Sequence, residues 1–162
     1  NLREDKHWSY GARCSIASAK GPRAWVVNAP VQGDKTKEAM IEIDRELRGA
    51  VTAHPITAQE LKKAVDDRSL RLSGRWETTG SVASSIAEIL RFGLPEDYYR
   101  TYPVKLRALT LDEVERVGKA QLHPGNLIWV VVGDRSKVES SLRELNLGDL
   151  KFIDAEGRVT DN

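Results

Sequence analysis

The sequence predicts an α+β fold, a mainly antiparallel sheet with helices packed on one face. Three observations carry that prediction. Two strand-like runs lie close together near the start, four helical stretches follow in succession, and residues 127–132 (Leu-Ile-Trp-Val-Val-Val) form a continuous apolar run of strand length. Two strands, four helices, then strand, helix and strand is an α+β order, not the strict alternation of a parallel α/β sheet.

In chain order, residues 12–17 and 23–31 are strand-like and are separated by Ser18-Ala19-Lys20-Gly21-Pro22, which reads as an antiparallel hairpin with a Gly-Pro turn. From Asp34 the spacing becomes helical, with Ile43, Leu47, Ala50, Val51 and His54 on one face, until Pro55 stops it. Thr57-Ala58-Gln59-Glu60 is a capping box flanked by Ile56 and Leu61, the pair that forms a hydrophobic staple. It starts a second helix whose stripe is Leu61, Ala64, Val65, Arg68 and Leu72. Gly74 and Thr78-Thr79-Gly80 loosen the chain before a third stripe of Val82, Ile86, Ile89 and Leu90, closed by Gly93 and Pro95. Tyr98, Tyr99 and Tyr102 read as a structural cluster in the link to a fourth helix. That helix opens on a second capping box, Thr110-Leu111-Asp112-Glu113, stapled by Leu109 and Val114, and ends at Pro124-Gly125. The run 127–132 then reads as a strand buried on both faces, the centre of the sheet. A short helix over 136–145 and a last strand over 150–153 complete the pattern.

The length, 162 residues with 40% hydrophobic, suits a single domain. Lys and Arg total 25 against 24 Asp and Glu, a net charge of +1, so there is no electrostatic case for nucleic acid. With Cys14 as the single cysteine, neither an intrachain disulfide nor a cysteine-based zinc cluster is available. No run of eighteen apolar residues occurs, so no membrane-spanning segment is expected. The only methionine is Met40, and the numbered chain reads as a piece of a longer protein.

The opening stretch gathers charges, an aromatic ring and a phenol at the mouth of the first strand: Leu2 and Arg3, six further residues including His7 and Trp8, then Tyr10 and Gly11. It resembles the Leu-Arg-(six residues)-Tyr-Gly segment of the C-terminal, non-zinc domain of insulinase/pitrilysin-type zinc metallopeptidases, the inverted-motif zincins. Further segments are similar in order and spacing: Gly93-Leu94-Pro95-Glu96-Asp97-Tyr98-Tyr99 with Tyr102-Pro103, the capped helix at Thr110, and Leu122-His123-Pro124-Gly125-Asn126-Leu127 leading to Val130-Val131-Val132-Gly133-Asp134. The resemblance spans almost the whole chain. It implies that residues 1–162 are the larger part of such a domain, with the family's first strand and helix missing. It also implies that Arg3 and Tyr10 face the zinc of a separate N-terminal catalytic domain or subunit, where they bind peptide and help hold the transition state, with His7 and Trp8 bordering the same chamber. Zinc is then the partner's cofactor, with none held by this chain, and the substrate is a peptide. The rivals are a non-enzymatic scaffold or core subunit of the same superfamily, and a peptide-binding module.

The residues taken by themselves agree on the division of labour. His-x-x-Glu-His, which sets two imidazoles one turn apart with a glutamate base between them, is absent. His7, His54 and His123 are far apart, and His54 and His123 read as histidines at helix C-termini. Cys14 sits mid-strand, where burial raises a thiol and makes it inert, and no Gly-x-Ser-x-Gly elbow or Gly-rich phosphate loop is present. Arg3 and Tyr10 have two readings. In one, the guanidinium forks onto a substrate carbonyl or C-terminus and the phenol donates to a developing oxyanion. In the other, Arg3 pairs with Glu4 or Asp5 on a solvated surface and Tyr10 is an ordinary strand aromatic.

The chain on its own is therefore expected neither to retain zinc stoichiometrically nor to cleave peptides. Metal analysis after dialysis checks this: about one zinc per chain, with peptidase activity lost on chelation, overturns it.

Overall fold

A computed structural model describes residues 1–160. Helix accounts for 53% of the described residues and strand for 9%, which overturns the mainly antiparallel sheet. The order is β1 (Arg13–Ile16), β2 (Trp25–Asn28), α1 (Thr36–Val51), α2 (Ala58–Ser73), α3 (Thr79–Phe92), α4 (Tyr98–Arg107), α5 (Leu111–Gln121), α6 (Arg135–Arg143), β3 (Phe152–Ile153) and β4 (Val159–Thr160). The strands make two separate antiparallel hairpins, β1 with β2 and β3 with β4.

The run 127–132 is not the centre of a sheet. None of its residues belongs to a strand, and Ile128, Val130 and Val132 are 91%, 70% and 95% exposed. Hydrophobic, β-branched composition expresses a preference for burial, but a strand also needs a neighbour that supplies its ladder of hydrogen bonds. Each hairpin pairs only within itself, so no such neighbour exists among the described residues.

The chain divides into two compact units. The first takes in Asn1–Ala17, Ala24–Arg45 and the chain from Ile128 onward. Its buried hydrophobic side chains are Leu2 from the N-terminal turn, Ala39 and Met40 from α1, and Val138 from α6. Helix α6 meets the 3₁₀ turn Gly33–Lys35 that leads into α1, and a Lys37–Glu144 ion pair joins the same two regions. Buried Thr36 donates its hydroxyl to the Gly33 carbonyl (2.9 Å) and closes that turn. The Arg135 guanidinium lies 3.7 Å from the centroid of the Phe152 ring, tying α6 to β3.

The second unit, Ser18–Arg23 and Glu46–Leu127, contains α2 to α5, and α2 and α5 begin where the sequence places their capping boxes. In both predicted capping boxes the reciprocal bonds form: Glu60 N–H to Thr57 Oγ1 (3.2 Å) and Thr57 N–H to Glu60 Oε2 (2.8 Å), then Glu113 N–H to Thr110 Oγ1 (3.3 Å) and Thr110 N–H to Glu113 Oε2 (2.9 Å). Thr78 caps α3 through the Ser81 N–H (3.2 Å). Gly93 ends α3 at φ 61°, the left-handed conformation in which a side chain would be strained. Helix α4 lies in what reads as a link, and Pro103 stands inside it. Proline's fixed φ suits a helix, while its missing N–H and its ring disfavour an interior position. The helix holds nonetheless, with Tyr98 and Tyr99 in its first turn engaged in ring contacts (centroids 5.1 Å apart).

The two capping glutamates have a pH consequence. Backbone and side-chain hydrogen bonds from Thr57 hold Glu60 below its ordinary 4.5, and those from Thr110 do the same for Glu113. A carboxylate lowered in the folded state adds stability above its unfolded pKa and loses it as pH falls through the folded one. Glu60→Gln and Glu113→Gln are therefore expected to be less stable than wild type at pH 7. The difference should shrink as pH falls below the ordinary glutamate value and through the lowered one, measured by urea denaturation at a series of pH values.

Candidate functional site

The opening segment is a pinned loop. The Asn1 carbonyl accepts the Asp5 and Lys6 N–H groups (3.0 and 3.1 Å), and the Leu2 carbonyl accepts that of Trp8 (3.0 Å). Asn1 Nδ2 donates to Glu42 Oε2 on α1 (2.9 Å), and Leu2 is buried beneath the turn. His7 takes the left-handed conformation, φ 56°, uncommon for a residue with a side chain. Gln32 holds the loop from the other side: its backbone N–H donates to the Trp8 carbonyl (2.9 Å) and its side-chain amide to the His7 carbonyl (3.3 Å). Ser9 bridges antiparallel to Val31 and donates its hydroxyl to the Pro30 carbonyl (2.6 Å). Gly11, at φ 148°, turns the chain into β1 through a conformation open only to glycine.

On this backbone the side chains are presented outward. Tyr10 is 97% exposed and precedes β1, so it is not a strand aromatic. The Arg3 side chain is 68% exposed, and its Nε lies 3.3 Å from Glu4 Oε1, the surface pair named as one of its two readings. His7 is exposed and Trp8 half-buried, with Lys6 Nζ 5.5 Å from its ring centroid. Arg3, His7, Trp8 and Tyr10 thus share one loop, but no hydrogen bond or ring contact among the described residues joins Arg3 to Tyr10.

The other titratable candidates stand apart. Among the described residues no group of three or more His, Cys, Asp or Glu could hold a metal ion. His54 lies beyond the end of α1 and folds back on it, its N–H donating to the Gly49 carbonyl (2.8 Å). A Cβ on Gly49 would sit 3.3 Å from the imidazole, so glycine gives the ring its room. His123 is exposed at the start of a 3₁₀ turn after α5. Cys14 lies on β1 as read, but on an exposed strand rather than a buried one, and partial burial still raises its thiol. Among the described residues, no helix is long and apolar enough to cross a membrane.

A second constellation, not legible in the sequence, joins the turn after α2 to α3 and α4. Ser85, 4% exposed on α3, accepts from Arg75 Nε and Trp76 Nε1 (both 3.1 Å) and donates to the Ser81 carbonyl (3.0 Å). Arg75 also pairs with Glu88 (2.5 Å), and Glu88 accepts the Tyr99 hydroxyl (2.6 Å). The Tyr99 ring meets Trp76 edge to face (5.4 Å between centroids), and the Arg75 guanidinium lies 4.9 Å from its centroid. Burial raises the Tyr99 phenol, and its bond to the Glu88 carboxylate adds to the shift; burial also raises that of Tyr98. The polar groups of this corner answer one another. It acts as a structural tie, and the tyrosines are the structural cluster expected of them. The hydrogen-bonded partners that join these elements lie nine to thirteen positions apart, beyond what helical periodicity reports. An open cleft of about 470 Å³ in the same unit is lined mainly by apolar groups, among them Ala50, Ile56, Ala64 and Leu122.

Ser85→Ala should leave the Arg75 and Trp76 donors without their shared acceptor and cost about 1–3 kcal/mol, read from the denaturation midpoint. An unchanged midpoint shows that the node contributes nothing.

No protein-family model matches the chain, and no curated protein does.

Proposed function

We propose that this chain is the substrate-binding, non-zinc portion of a peptide-hydrolysing zinc metalloendopeptidase of the insulinase/pitrilysin type. The observation that carries the reading is the opening loop, whose backbone is fixed at both ends while the Arg3 and Tyr10 side chains are exposed. A guanidinium and a phenol on a rigid loop suit a peptide carbonyl and a tetrahedral oxyanion, because donors fixed beforehand need no reorganisation when charge develops. Zinc and its base belong to the partner, an N-terminal catalytic domain or subunit. For peptide to be engaged, Arg3 must exchange Glu4 for substrate, a small cost since an exposed pair contributes at most about 1 kcal/mol. His7 and Trp8 border the bound peptide. The sequence resemblance supports the assignment. The Arg3–Glu4 pair favours the second reading, a scaffold or core subunit of the same superfamily in which the loop is idle.

Kinetics on the assembled enzyme separate the two. Tyr10→Phe should lower kcat about a hundredfold with KM little changed, and Arg3→Ala should raise KM as well. Wild-type kcat/KM in both variants overturns the catalytic reading and leaves the scaffold.

The partner also accounts for the apolar surface at Ile128, Val130 and Val132, since exposed apolar stretches of this kind mark interaction sites or association-prone segments. Light scattering on the isolated chain is expected to show self-association, relieved by the catalytic partner. A stable monomer that unfolds cooperatively without it counts against a partner-covered surface.

A further inference from the structure

We draw no further inference here: the strongest candidate, the unpaired apolar run from Ile128 to Val132 between α5 and α6, belongs to the partner surface already proposed, and nothing in the structure shows what else covers it.

Discussion

Hydrogen bonds made at helix N-termini are the constraint on which the rest of this structure depends. An α-helix leaves its first N–H groups without internal partners, and here Thr57, Thr78, Thr110 and Asp134 each supply an acceptor to one of them. The role of these caps is enlarged by how little apolar surface is sequestered. Leu2, Ala39, Met40 and Val138 are the buried hydrophobic residues among those described, and all four lie in the first unit. In the second unit, the starts of α2, α3 and α5 are therefore set by short-range polar chemistry, and α3 and α4 are joined to the turn after α2 through Ser85, Arg75 and Glu88.

What the sequence reveals follows from that locality. The capping boxes at Thr57 and Thr110 are complete within four residues, so pattern and structure coincide there. The hairpin of β1 and β2 needs only a short turn and two neighbouring runs, and its register from Arg13 opposite Asn28 to Ile16 opposite Trp25 follows. The run 127–132 fails as a strand because pairing is a property of two segments, and hydrophobicity reports on only one. Helix α4 contains Pro103, a local breaker outweighed by contacts that periodicity does not show. At the candidate site, the grouping of Arg3, His7, Trp8 and Tyr10 is legible because they are sequence neighbours. Their support is not, since Gln32, Pro30 and Glu42 reach them from twenty-one or more positions away.

The two polar constellations differ in a way that bears on function. Around Ser85, donors and acceptors meet within the protein, and a ligand would have to break existing bonds to enter. In the opening loop hydrogen bonds hold the backbone at Asn1, Leu2, His7 and Trp8, and the Arg3, His7 and Tyr10 side chains stand toward solvent.

The placement of the indoles adds a spectroscopic consequence. Trp8, Trp25 and Trp129 lie in the first unit, whereas Trp76 is the only tryptophan of the second. Its Nε1–H is held by Ser85 and its ring by Tyr99, so its emission is coupled to the integrity of that corner. With phenylalanine at the other three positions, fluorescence would follow the opening of one unit alone and reveal whether the halves of this chain melt together or in turn.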